Sequence, residues 1–317
     1  MTQPEKDLAY EILDVMIEAI TAKPPSVDFP VRIDNSPRPK GMSLSSAGKG
    51  AKYLAHMHIG SKEKEGQPRY LLNMDMGSLA HDYIRWILNE YQHCELTDAE
   101  RTVSLTVKGA EGSAPHTASG GQDIEPAICV KGHIDGFLTF ETARLSRNKK
   151  VRILLDIKCV DMYTFNELDP RNPETNWWAR SRKWNAGNYV FDANEAFEND
   201  DFKRAYLGQV AGYEKSLDEE GEEWDATAFI LYNRNTSHFA VGIYDSSKTD
   251  GLVAGFTQKA TQVHANPDPT LYEPCYPAEV GASPGIVCQY CDYLHECFDV
   301  KTKIFRGKPR FNILRIR

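Results

Sequence analysis

The segment 151–158 constrains the fold more than any other part of the chain. It reads Val-Arg-Ile-Leu-Leu-Asp-Ile-Lys, and its β-branched and large apolar residues predict a buried strand. Asp156 and Lys158 lie at the end of this strand, two residues apart, and such side chains share one face. A carboxylate and an ammonium group are costly to bury unless they are paired or bind something. The segment therefore predicts either a buried ion pair or a functional site.

The rest of the chain predicts helices packed on one small sheet. Runs of apolar residues predict four further strands, at 127–133, 136–140, 227–233 and 238–244. Polar segments join 136–140 to 151–158 and 227–233 to 238–244, which predicts two hairpins. Apolar residues at helical spacing predict helices at 8–20, 50–57, 74–91, 201–217 and 252–263. This order of elements indicates a mixed α/β domain with helices that flank the sheet.

Length and charge limit the organisation and the partners of the chain. A chain of 317 residues is longer than a typical single domain. The order of elements and charges predicts a helical N-terminal lobe and linker at 1–73, a core at 74–297 and a basic tail at 298–317. The net charge of -8 argues against general binding to phosphates, although 301–317 has seven Lys or Arg and no acid. No apolar run approaches the about 18 residues of a membrane helix, and the N-terminus lacks the pattern of a signal peptide. We therefore expect a cytoplasmic protein without a membrane partner.

The Asp-x-Lys spacing is common by itself, and the chain contains it three times. The copy at 201–203 opens a predicted helix, where acidic residues favour the helix dipole, and the copy at 299–301 begins the basic tail. Only the copy at 156–158 ends an apolar strand and follows another carboxylate at a strand end, Asp135. Position in the predicted fold therefore distinguishes this copy from the others.

Two carboxylates on neighbouring strands predict a site for a hard cation, because Mg²⁺ and Mn²⁺ prefer oxygen ligands. Such an ion polarises a phosphodiester and lowers the pKa of a bound water. Lys158 could orient the attacking water, assist its deprotonation or stabilise the charge of the transition state. A buried ion pair of Asp156 with Lys158, without catalytic function, is the alternative.

Four short motifs follow one another along the chain: Gly77-Ser-Leu-Ala-His81, Gly132-His-Ile-Asp135, Asp156-Ile-Lys158 and Gln209-Val-Ala-Gly-Tyr213. Each motif is common, and their order carries the resemblance. The series resembles that of the PD-(D/E)xK nucleases, in the RecB-like branch with a C-terminal iron–sulfur cysteine motif. This branch includes nucleases of CRISPR adaptation, of bacterial double-strand-break processing and of bacteriophages.

The resemblance implies a restriction-endonuclease-like core and a divalent-metal site. The implied metal ligands are His81, Asp135, Asp156 and the main-chain carbonyl of Ile157. The resemblance also implies that Lys158 is catalytic, and that Gln209 and Tyr213 support the active site and the DNA backbone.

Three cysteines near the C-terminus, Cys288, Cys291 and Cys297, have the spacing Cys-x2-Cys-x5-Cys. In the resembling branch this motif supplies three thiolates to a [4Fe–4S] cluster, which ties the C-terminal segment to the N-terminal lobe. The N-terminal lobe supplies the fourth thiolate, but this chain has Gly50 where we would expect that cysteine. We expect Cys94, before Cys275, to complete the cluster. Zn²⁺ bound with His295, or thiols without a metal, are the alternatives.

The sequence thus predicts a metal-dependent deoxyribonuclease. The resemblance favours an exonuclease that acts on single-stranded DNA or DNA ends in recombination, repair or phage DNA metabolism. A catalytically silent DNA-binding or assembly subunit and an RNA-processing nuclease are the alternatives. Aromatic and basic residues alternate in 176–191, where Trp177, Trp178, Trp184 and Tyr189 could stack on unpaired bases or pack a domain loop. The sequence identifies no protein partner.

Overall fold

The structure is a computed structural model. It describes residues 1–22, 41–61, 68–108, 127–142, 149–172, 187–198, 203–248, 250–276, 279–280, 282–283, 291, 293–305 and 308–317.

A mixed sheet of six strands forms the centre of the molecule. Its strands, in chain order, are β1 (Cys94–Thr97), β4 (Gly136–Thr142), β5 (Lys149–Val160), β6 (Tyr189–Asp192), β7 (Ala226–Asn233) and β8 (Phe239–Tyr244). Their order across the sheet is β1-β4-β5-β7-β8-β6. β5 pairs antiparallel with β4 and parallel with β7. The apolar strand that ends in Asp156 and Lys158 therefore lies in the middle of the sheet, where β-branched residues are buried on both faces.

The remaining strands form two sheets of two strands each. β2 (Thr102–Lys108) pairs antiparallel with β3 (Ala127–His133), and β9 (Phe298–Phe305) pairs antiparallel with β10 (Lys308–Ile316). β3 ends two residues before β4 begins, so Ile134 and Asp135 form the connection between the two sheets.

Helices cover both faces of the central sheet. They are α1 (Gln3–Thr21), α2 (Ala51–Ile59), α3 (Pro68–Glu90), α4 (Met162–Glu167), α5 (Ala193–Glu198), α6 (Arg204–Glu219), α7 (Asp250–Ala265) and α8 (Leu294–Cys297). Short 3₁₀ turns lie at Leu44–Ser46, Ser246–Lys248 and Pro269–Leu271. In the described part of the chain, no helix is both long and apolar enough to cross a membrane.

The alternation of side chains along β5 determines which helices meet which residues. Ile153, Leu155 and Ile157 belong to the apolar cluster that includes Ile12 of α1 and Ile84 of α3. Leu154, on the other face, packs in a cluster with Tyr213 and Leu217 of α6. Because Asp156 and Lys158 share the parity of Leu154, they face the α6 side of the sheet.

The predicted mixed α/β architecture with flanking helices is confirmed. So are the two hairpins, which are β4 with β5 and β7 with β8. The segment 298–317, predicted as a basic tail, contains the β9–β10 hairpin. Its residues Phe298, Phe311 and Ile313 are buried in a cluster with Leu294 and Cys297. The apolar alternation in this segment was hidden by its many charges.

Candidate active site

β4 begins at Gly136 and leaves the edge of β5 beyond that point open, and the candidate site is built on this open edge. Gly136, the first residue of β4, pairs with Leu155, so β5 continues beyond its neighbour from Asp156 to Val160. The carboxylate of Asp135, just before β4, accepts a 2.6 Å hydrogen bond from the backbone N–H of Ile157 through Oδ2. The N–H and C=O groups of a strand residue point to the same edge. The carbonyl of Ile157 therefore faces the same region as Asp135.

A chain of hydrogen bonds joins β5 to α6 on the other side of this region. Lys158 Nζ donates to Asp156 Oδ1 at 2.9 Å and to Gln209 Oε1 at 3.3 Å. Gln209 Nε2 in turn donates to the hydroxyl of Tyr213 at 2.6 Å. Gln209 and Tyr213 are one helical turn apart, so both side chains reach the same face of α6. The structure thus brings together Asp156, Lys158, Gln209 and Tyr213.

α3 contributes His81, which was predicted, and Arg85, which was not. His81 Nδ1 lies 3.2 Å from Asp135 Oδ1. The guanidinium of Arg85 donates to the same carboxylate oxygen and forms a second ion pair with Glu100. Arg85 follows His81 by four residues on a predicted helix, and this spacing was the available sequence signal for it. The partnership with Glu100 depends on the tertiary fold and had no such signal.

The charges of the site interact strongly because they are buried. Burial and the charge of Asp135 raise the pKa of Asp156 to about 6, although Lys158 acts in the opposite direction. Burial would also raise the pKa of Asp135, but His81, Arg85 and Lys158 hold it below its usual range. Burial acts to lower the pKa of Lys158, but Asp156 and Asp135 hold it above its usual value. Of the two carboxylates, Asp156 has the less stabilised negative charge.

The oxygen atoms at this edge are of the type that Mg²⁺ and Mn²⁺ prefer. Asp156 is 1% exposed, and its Oδ2 is buried without a hydrogen-bond partner in the described structure, although Lys158 Nζ lies 2.8 Å away. Within the described ranges, however, no three His, Cys, Asp or Glu residues are arranged to hold a metal ion. Arg85 lies against Asp135 instead. The donor set fits a hard cation, provided that Arg85 releases this carboxylate.

The structure separates the cysteine candidates. Cys297 is buried at the end of α8, with its Sγ 4.0 Å from Nε2 of His56 in α2. A Cβ atom added at Gly50, directly before α2, would lie 2.6 Å from the Sγ of Cys275. The thiol of Cys275 therefore lies where a side chain at position 50 would begin.

The other thiol candidate, Cys94, lies elsewhere in the fold. It packs against the apolar cluster of α1 and α3, and its Sγ donates to the carbonyl of Leu88 at 3.3 Å. Cys291 is half-buried, and Cys288 lies outside the described residues. His295 is exposed, with its ring 6.4 Å from that of Phe311. Cys275 thus lies at the start of α2, the helix whose His56 contacts Cys297, whereas Cys94 lies with α1 and α3.

The aromatic segment is described only in part. Trp177, Trp178 and Trp184 lie outside the described residues. Tyr189 is buried in β6, where it packs with Phe191 and its hydroxyl donates to the carbonyl of Phe165. At Tyr189 the packing alternative therefore holds, because the apolar environment of β6 makes it a core residue.

Comparisons with known proteins leave the family of the chain open. No protein-family model matches the sequence, and no curated protein is similar to it. A solved crystal structure of SSO0001 superimposes with a TM-score of 0.39 at 10% sequence identity, over 90% of this chain and 94% of that one. A likeness of this size does not assign a fold family.

Two glycines of the motifs have different structural roles, which substitutions to alanine should separate. A Cβ atom at Gly132 would lie 2.7 Å from Cε1 of Tyr213 and 2.8 Å from Cβ of Leu44. At Gly77, within α3, it would meet no atom within 4 Å. We expect Gly132→Ala to lower the free energy of unfolding by about 1–3 kcal/mol through overpacking. Gly77→Ala should raise it by roughly 0.5–1 kcal/mol through helix propensity.

Urea denaturation of the two variants and the wild type measures both effects. A Gly132→Ala protein as stable as the wild type would contradict the close approach of β3 to Tyr213.

Proposed function

We propose that this chain is a divalent-metal-dependent nuclease that cleaves DNA, with a restriction-endonuclease-like core. One observation carries most of the proposal. Two carboxylates, Asp135 and Asp156, are buried beside Lys158 at the edge of β5 that extends past the first residue of β4. A fold retains this combination of buried charges at a considerable desolvation cost, which a bound cation and an anionic substrate would offset.

The residues of the site divide the chemistry among them. Asp135, Asp156 and the carbonyl of Ile157 would hold Mg²⁺ or Mn²⁺. His81 would either be a further ligand of the ion or orient Asp135 through a hydrogen bond. When bound, such an ion polarises a phosphodiester and lowers the pKa of its bound water. The carboxylates of Asp156 and Asp135 keep Lys158 protonated. Its ammonium group would stabilise the negative charge that develops on the phosphate.

Gln209 and Tyr213 act through Lys158. The Oε1 atom of Gln209 accepts from Lys158, and the orientation of the Gln209 amide is fixed by its bond to Tyr213. Since α6 supplies both residues one turn apart, the helix holds the ammonium group of Lys158 in a fixed position over β5. We assign Gln209 and Tyr213 a positioning role in the proposed reaction.

The choice of DNA as substrate rests on the motif resemblance and on local charge. The segment 301–317 has seven Lys or Arg and no acid. A local excess of positive charge favours the binding of phosphate groups. The preference for single strands or DNA ends, and exonuclease action, follow from the resemblance alone.

We further propose that the cysteine motif binds a structural [4Fe–4S] cluster, with Zn²⁺ as the alternative. Cys288, Cys291 and Cys297 would supply three thiolates. Cys275 would supply the fourth, because its thiol occupies the space next to Gly50 where the resemblance implies the missing ligand. Thiolate ligands select iron–sulfur clusters or zinc over Mg²⁺, so this centre would be separate from the catalytic ion.

Cleavage assays test the nuclease proposal. Asp156→Asn and Lys158→Met should each lower DNA cleavage at least about a hundredfold, since each removes a member of one catalytic unit. The matched controls are Asp218→Asn and Lys215→Met, which break an exposed ion pair of 3.6 Å on α6. These controls should cleave like the wild type.

The substrates are single-stranded DNA, double-stranded DNA and RNA, labelled at either end and incubated with Mn²⁺ or with EDTA. Wild-type cleavage by pure Asp156→Asn protein would contradict the proposal. Cleavage of RNA alone would favour the RNA-processing alternative, and DNA binding without cleavage would favour the silent subunit.

Cysteine substitutions test the metal centre. We expect anaerobically purified wild-type protein to contain four iron and four sulfide ions. Cys275→Ser should lose most of this iron, whereas Cys94→Ser should retain it, because Cys94 packs in a different part of the fold. The reverse pattern would restore Cys94 as the ligand. Colourless wild-type protein with stoichiometric zinc would refute the cluster in favour of a zinc site.

A further inference from the structure

We propose that Arg85 occupies the place of the divalent cation at Asp135 in the metal-free protein, and that it moves to a phosphate of the substrate when the ion binds. This inference rests on the proposed nuclease function and goes beyond it. It makes metal binding and DNA binding mutually dependent.

The first argument is the position of a single guanidinium nitrogen. Arg85 Nη2 donates to Asp135 Oδ1, forms an ion pair with Glu100 and lies 3.5 Å from His81 Nδ1. Asp135 and His81, two of the groups that would ligate a metal ion, thus converge with the carboxylate of Glu100 on one atom. The side chain of Arg85 is 12% exposed, so its charge acts in a partly desolvated environment. Arg85 supplies the positive charge that these groups need when no ion is bound.

The second argument is that the ion and Arg85 cannot share Asp135. A divalent cation at Asp135 Oδ1 would be placed within a few ångströms of a guanidinium, and like charges at this distance repel strongly away from water. The other oxygen, Oδ2, stays bonded to the N–H of Ile157 at 2.6 Å. The carboxylate is therefore already held in position, and only its Oδ1 must exchange Arg85 for the ion.

The third argument concerns the destination of Arg85. Its Nε atom is buried without a hydrogen-bond partner among the described residues. An arginine satisfies Nε and one Nη together when it binds a phosphate through two parallel hydrogen bonds. A phosphate that enters the site would therefore offer Arg85 a bond that Asp135 and Glu100 do not provide.

These arguments predict a linkage between the two ligands. DNA would draw Arg85 from Asp135 and so raise the affinity for the ion, and the ion would raise the affinity for DNA by the same factor. Without DNA, Arg85 competes with the ion and keeps its affinity low.

Manganese titrations test this linkage, with free Mn²⁺ measured by electron paramagnetic resonance. We expect Arg85→Met to bind Mn²⁺ about tenfold more tightly than the wild type in the absence of DNA. A phosphorothioate single strand that resists cleavage should raise the affinity of the wild type but not that of Arg85→Met. Arg101→Met is the matched control, because Arg101 pairs with Glu220 and Glu222 and should affect neither affinity. Equal or weaker Mn²⁺ binding by folded Arg85→Met would overturn the inference.

A wild-type measurement avoids dependence on a variant that fails to fold. Phenylglyoxal modifies accessible arginines, and mass spectrometry locates the products. Saturating Mn²⁺ should speed the modification of Arg85 and leave that of Arg101 unchanged, whereas an unchanged rate at Arg85 would overturn the inference.

The Mn²⁺ titration also separates this inference from the proposed function. If the wild type binds no Mn²⁺ that Asp156→Asn abolishes, the proposed metal site is wrong, and the inference falls with it. If the wild type binds such an ion and Arg85→Met binds it no more tightly, only the role of Arg85 is wrong.

Discussion

The burial of two carboxylates beside one lysine is the constraint on which the arrangement around β5 depends. Asp135 and Asp156 each require compensation for lost hydration, and the fold supplies it from three directions. The N–H of Ile157 holds Asp135 from within the sheet, Lys158 neutralises Asp156, and α3 brings Arg85. The open edge of β5 leaves room for these groups, because β4 begins only after Asp135 and does not cover β5 beyond Leu155.

The two helices that serve the site lie on opposite faces of the sheet. α6 packs on the face that bears Lys158 and fixes it through Gln209, while α3 packs on the other face and reaches Asp135 from beyond the end of β4. Charge compensation from α3 is exchangeable, because it rests on a side chain. That from Ile157 is permanent, because it rests on the backbone. This difference is the physical basis for proposing that an ion replaces Arg85 without rearranging the sheet.

The sequence predicted those features that depend on local spacing. Two-residue alternation placed Asp156 and Lys158 on one face, and helical spacing placed Gln209 with Tyr213. Contacts between distant segments had no such signal. Cys275 meets Gly50 only through the tertiary fold, so the sequence ranked Cys94 first. Short strands such as β1 and β6 were also missed, because four residues carry too little periodicity.

The central claim, that Asp135 and Asp156 form a divalent-cation site, is tested most directly by anomalous diffraction from crystals of the wild type soaked in Mn²⁺. The account predicts one strong anomalous peak in contact with both carboxylates and the carbonyl of Ile157, with the guanidinium of Arg85 withdrawn from Asp135. A peak at another set of residues, or no peak at these carboxylates while Arg85 remains bound to Asp135 at saturating Mn²⁺, would contradict it.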